Sequence, residues 1–153
     1  MRLLLSVVLC IWASVAHADV VAREGWVVVE TTKSYSDLVA EVKAAVKANK
    51  MGVVTQAGPT GAAKARGITI PGNRVIGVFN NIFAVRILKL STAAMIEAPI
   101  RIYVTETNAG ATLSYKTPSH VFAPYVQESG PELEAAASEL DVIFKAIADD
   151  ATG

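Results

Sequence analysis

Short valine- and isoleucine-rich runs alternate along this chain with two long stretches of helical periodicity. "GWVVVETT", Gly25 to Thr32, reads as a first strand. "SYSDLVAEVKAAVKANKMG" follows, with Ser34 placed to cap a helix and Asp37 three residues on in a capping-box position. Leu38, Val39, Val42, Ala45 and Val46 recur at helical spacing, and lysines gather toward the end. Met51 to Ala57 returns as a second strand. Thr60 is placed to cap a short helix that stops at Gly67, and Arg74 to Phe79 reads as a third, centrally buried strand.

"APIRIYVTE" and "ATLSYKT" form a hairpin around "TNAG". A register that sets Glu106 against Ala111, Val104 against Leu113, Ile102 against Tyr115 and Ile100 against Thr117 gathers the apolar residues on one face. The other face then carries Arg101, Tyr103 and Thr105 beside Lys116, Ser114 and Thr112. "PSHVFAPYV" reads as an aromatic connection. Pro131 opens a last helix whose stripe is Leu133, Ala136, Ala137, Leu140, Ile143, Phe144 and Ile147. The order is strand, helix, four strands, helix. It predicts an α+β fold, a mostly antiparallel sheet with two main helices on one face.

One stretch fits less simply. "VFNNIFAVRILKLSTAAM", Val78 to Met95, predicts a short helical insertion after the third strand. Arg86 and Lys89 share one narrow side of this helix, and Ile82, Phe83, Val85, Leu88 and Leu90 spread over much of the rest. A helix so apolar needs cover on more than one side.

The chain has 153 residues. Its first eighteen, "MRLLLSVVLCIWASVAHA", show a basic start at Arg2, an apolar run from Leu3 to Val15 and a small-x-small end at Ala16-His17-Ala18. That is the pattern of a signal peptide cleaved after Ala18, with a periplasmic or secreted product and a single domain over 19–153. Cleavage removes Cys10, the one cysteine, so neither disulfide nor thiol chemistry is expected. It also removes Arg2, leaving 13 basic against 14 acidic residues, a balance that does not steer a protein to nucleic acid. No stretch after Ala18 is long enough to span a membrane.

"GPTGAAKA" looks like a phosphate loop only at first sight. Ala63 and Ala65 stand where that loop needs its second glycine and its hydroxyl. His120 is the single histidine of the mature chain and has no Cys, Asp or Glu grouping beside it, so no metal or cofactor is expected. No serine has a nucleophile-elbow setting. Two anion sites remain as candidates. Asn80 and Asn81 at a helix start could receive an anion together with Arg86, although capping alone explains the asparagines. Arg101 and Tyr103, with Lys116 and Ser114, could bind a small anion, although they also read as a solvated sheet face. Tyr115 and His120 complete the set of candidate ligand-binding residues.

Two longer segments, "AKARGITIPGNRVIGVFN" and "IEAPIRIYVTETNAGATLSYKTPSHVF", resemble a bacterial and archaeal family, domain of unknown function 302. The first is similar to its Ala-Lys…Gly…Leu-Pro…Arg-Val segment, and the second to its Asp-Leu-Pro-Leu-Lys…Val…Gly…Ser-Tyr pattern. The resemblance implies a topology like that of the TATA-binding protein, with a curved sheet and two main helices, and by the same analogy a homodimer. It implies no activity. The chain departs from the pattern where Phe79-Asn80-Asn81 replaces Gly-Asn-Pro and Ala84-Val85-Arg86 replaces a Gly-Thr turn region. Three functions follow as expectations: a non-catalytic binding or interaction protein, a carrier or sensor of a small apolar or anionic molecule near Asn80, Arg86 and Tyr115, and an enzyme using His120 with Tyr125 or Glu97.

Overall fold

A computed structural model describes residues 20–153. The expected signal peptide, 1–18, lies outside the described residues. Five antiparallel strands form one sheet in the order β1-β5-β4-β3-β2, where β1 is Trp26–Thr31, β2 Gly52–Ala57, β3 Asn73–Phe79, β4 Ile100–Thr107 and β5 Gly110–Lys116. The α+β expectation holds. The middle of the sheet is β4, however, and β3 lies between it and the edge strand β2.

The hairpin takes the register that its apolar pattern demands. Ile102 pairs with Tyr115, Val104 with Leu113 and Glu106 with Ala111. The turn is tighter than the four-residue loop expected, because Thr107 and Gly110 still pair and only Asn108 and Ala109 lie between them. Gly110 has φ of +152°, and a Cβ there would come within 2.4 Å of the Thr31 carbonyl on β1. Only glycine lets the hairpin end lie that close to its neighbour.

Helix α1, Tyr35–Ala48, begins as its sequence predicts. Ser34 Oγ accepts from Asp37 N at 3.2 Å and donates to the Asp37 carboxylate at 2.7 Å. It ends in a Schellman turn: Lys50 N donates to Lys47 O and Met51 N to Val46 O. Lys50 stands in the left-handed position, φ 59°, where glycine is commoner. Leu38, Val42, Ala45 and Val46 are buried, and Val39 packs at the margin. Helix α6, Pro131–Thr152, packs against α1 and buries Leu133, Ala136, Ala137, Leu140, Phe144 and Ile147. Together the two helices cover the face that holds Ile76, Ile102, Val104 and Leu113.

Two local expectations change. Thr60 does not cap α2, Thr60–Ala65; it is the first residue of that helix, and its hydroxyl donates to Pro71 O. The aromatic connection after β5 is largely helical, as α4, Pro118–Phe122, a 3-10 turn over Ala123–Tyr125 and α5, Val126–Ser129. Thr117 Oγ1 accepts from His120 N and Pro118 takes the first turn, so α4 is a capped start too short to show periodicity. The insertion after β3 is helix α3, Asn81–Leu90, followed by a 3-10 turn over Ala93–Glu97.

Phe144 is fully buried against Tyr115, with ring centroids 5.6 Å apart. Phe144→Ala is therefore expected to cost about 3–5 kcal/mol in urea unfolding. On the same helix Val142 is 71% exposed, and Val142→Ala is expected to stay within about 0.5 kcal/mol. Burial, with the charges of Asp141 and Asp149 nearby, pushes the Tyr115 phenol from 10.0 up to about 12. The unfolded chain then loses this proton first, so the stability due to Tyr115 is intact below pH 10 and falls between 10 and about 12. Phenolate absorbance during alkaline titration is expected to show a tyrosine that ionises near 12, and Tyr115→Phe to remove that step.

Candidate functional site

The face of the sheet away from α1 and α6 can be read as a grid. Register sets Trp26 beside Lys116, and one step further along the hairpin register brings Arg101 level with Lys116, with Gly77 beyond. The next row is Val28, Ser114, Tyr103 and Val75. A third is Glu30, Thr112, Thr105 and Asn73. Strands lie about 4.8 Å apart, so neighbours in a row are in direct contact range. The first row is cationic and aromatic, the second mainly apolar and the third polar.

A cavity of about 510 Å³ lies over this grid, lined by Trp26, Asn73, Val75, Arg101, Tyr103, Ser114 and Lys116, with Glu97 and Val121 also on its wall. It falls in the range of small-molecule sites. Ser114 is small between larger neighbours and forms the floor. It is 1% exposed, and its Oγ has no hydrogen-bond partner. A buried hydroxyl without a partner costs about 1–3 kcal/mol. Asn73 Nδ2 donates to Tyr103 Oη, which leaves the phenol proton free to donate.

Arg101 and Lys116 are both exposed and stand side by side. Among the described residues the ion pairs are Arg86–Glu139 and Lys145–Asp149, so neither rim cation has a carboxylate partner. Like charges directly across a strand pair are destabilising. The Lys116 ammonium rests 5.6 Å from the Trp26 ring centre, and the Arg23 guanidinium lies 5.3 Å from the same ring. An exposed contact of this kind is worth about 0.5–1 kcal/mol, so Lys116 is easily drawn to an anion.

Of the remaining candidates only Tyr115 also borders this cavity; the others lie elsewhere. Asn80 caps α3, its Oδ1 accepting from Ile82 N and Phe83 N while its Nδ2 donates to Lys50 O. Asn81 is the first helical residue and is exposed. Arg86 makes a two-pronged pair with Glu139 of α6 at 2.8 and 2.9 Å. Their hydrogen bond raises the Arg86 pKa and lowers that of Glu139. The polar groups imagined around an anion at this helix start are thus engaged within the protein. Tyr115 turns its ring into the core toward Phe144 rather than joining Asn80 and Arg86.

His120 is exposed on α4. Its ring lies against Gly25, φ +70°, where a Cβ would come 2.1 Å from Cγ. Among the described residues its ring makes no hydrogen bond to a carboxylate or phenol. The residues that would have worked with it bond to each other, Tyr125 Oη donating to Glu97 Oε1 at 2.8 Å. That bond, followed by burial, raises the Tyr125 pKa. Trp26 and Asn73 are the site residues that sequence reading missed. The parity of Trp26 on β1 was visible, but not that β1 would pair with β5. Among the described residues there is no grouping of three or more His, Cys, Asp or Glu able to hold a metal, and no helix long and apolar enough to cross a membrane.

No curated protein matches the chain. Its fold is similar to a crystal structure of an uncharacterized conserved DUF302 protein from Bacillus stearothermophilus, with a TM-score of 0.73 and 16% identity over 84% of this chain and 99% of that one. The profile described as "Domain of unknown function DUF302" matches residues 27–151. That match spans most of the chain and runs from β1 to the last turn of α6: the chain belongs to the DUF302 family.

Proposed function

We propose that this is an exported, non-catalytic binding domain that holds a small organic anion on the open face of its sheet. The observation that carries the reading is the pairing of two unneutralised cations, Arg101 and Lys116, with a buried and unpartnered hydroxyl, Ser114, in one cavity of about 510 Å³. Export rests on the signal-like first eighteen residues. The enzyme reading gains no support, because the His120 ring packs against Gly25 while Tyr125 and Glu97 are engaged with each other.

A ligand present at about 100 times its Kd adds about 2.7 kcal/mol to stability. Organic anions in a thermal-shift panel are therefore expected to raise the melting temperature of the wild type. The double variant Arg101→Gln/Lys116→Gln is expected to stay folded and to lose the shift. A panel that leaves the wild type unmoved, together with a bare polypeptide mass for protein taken from its own cells, removes the proposal.

A second reading concerns α3, which turns Ile82, Val85 and Leu88 outward, Ile82 being 76% exposed; Val142 is exposed one turn along α6 from Glu139. We propose that a second copy of the chain covers this apolar surface. Sedimentation at rising concentration is expected to show a dimer, and Ile82→Asp to dissociate it without altering the far-ultraviolet dichroism. A monomer throughout the range overturns this reading and leaves the sheet-face site untouched.

A further inference from the structure

The sheet-face cavity also carries information about the body of its ligand, an inference that rests on the reading just given. We propose that the site takes a planar aromatic carboxylate. Arg101 and Lys116 stand side by side at one end, where the two oxygens of a carboxylate can each meet a cation. An inorganic oxyanion would satisfy those two groups and nothing else. It would leave most of the 510 Å³ empty, and the Trp26 ring, Tyr103 and Val75 without a partner.

The grid gives the rest of the shape. Trp26 on β1 and Tyr103 on β4 stand diagonally across β5, one row apart and about 12 Å from each other by strand spacing and residue rise, with Lys116 beside Trp26 and Ser114 beside Tyr103. Two rings at opposite corners of the cavity, with the small Ser114 low beside one of them, leave room for a flat body, and offset or edge-to-face contact with such rings favours an aromatic one. A long alkyl chain finds no matching channel, since the row beyond Tyr103 is Glu30, Thr112, Thr105 and Asn73. That polar row and the unspent Ser114 and Tyr103 hydroxyls suit a hydrogen-bonding substituent on the far side of the ring from the carboxylate. Lys116 exchanges its contact with the Trp26 ring for the carboxylate, and Arg23 remains as the ring's cationic neighbour.

The test is calorimetric titration of the protein with three probes: 4-hydroxybenzoate, hexanoate and inorganic phosphate. 4-Hydroxybenzoate is expected to bind one to one and at least about tenfold more tightly than either other probe. Arg101→Gln and Lys116→Gln, both at exposed positions, are each expected to weaken it about tenfold. Trp26→Leu is expected to weaken 4-hydroxybenzoate and leave hexanoate unchanged, a split that a purely structural Trp26 would not give. Ser114→Ala is expected to weaken binding while holding or raising the melting temperature of the free protein. Hexanoate or phosphate binding as tightly as 4-hydroxybenzoate overturns the aromatic class and leaves an anion site standing. No binding by any of the three probes overturns the class and the anion site together.

Discussion

Everything in this structure depends on the register of the hairpin formed by β4 and β5. Those two strands occupy the middle of the sheet, and every other strand is positioned through them. With Ile102 against Tyr115 and Val104 against Leu113, the middle of one face becomes apolar and can accept α1 and α6. A slip of one residue would set Ile102 beside Lys116 and leave both faces mixed. The same choice that builds the core also lines up Arg101, Tyr103, Ser114 and Lys116 on the opposite face. The candidate site is therefore a by-product of burial that cannot be moved without undoing the fold.

The segment between β3 and β4 answers to a different constraint. It must carry the chain from the end of one strand to the start of its antiparallel neighbour, and it does so through α3 on the helix side, beside α6. Asn80 anchors that path at both ends of its side chain, capping α3 and bonding Lys50, which stands in a left-handed turn after α1. Phe83, Ile87 and Leu90 turn inward, while Ile82, Val85 and Leu88 stay outside. The apolar excess noticed in the sequence is thus divided between the core and a surface that the rest of the fold does not cover.

What could be read from the sequence followed the strength of each periodic signal. The stripes of α1 and α6, the Ser34 cap and the hairpin register were legible because many positions repeat one constraint. The helical turns after Thr117 were not, since α4 has five residues and α5 four, too few for a period to show. The two-residue hairpin turn was hidden by Gly110, whose role depends on the Thr31 carbonyl of a strand some eighty residues earlier. At the site, the alternation of β4 and β5 already grouped the two cations with Ser114 and Tyr103. Trp26 and Asn73 came only with the strand order, which is a tertiary fact. Asn80 and Arg86 show the converse limit: residue types that suit an anion also suit a cap and an ion pair, and here those local partners were nearer.

Ser114 is where the demands of folding and of binding separate most clearly. A β-strand position between Val28 and Tyr103 favours a branched or aromatic side chain, and a buried position favours one without an unanswered hydroxyl. Serine meets neither preference. Thr112, two residues earlier on the same strand and also buried, shows that a larger hydroxyl side chain is accommodated on this face. The small residue therefore does not follow from crowding common to the whole face. It keeps open a floor beside Tyr103, one row from Trp26 and from two like charges that repel each other. Three locally unfavourable choices, a small residue in a strand, an unpaired hydroxyl and adjacent unneutralised cations, coincide within two neighbouring rows of the grid. Each alone is an ordinary imperfection; together they become consistent once an anionic ligand is counted as part of the structure.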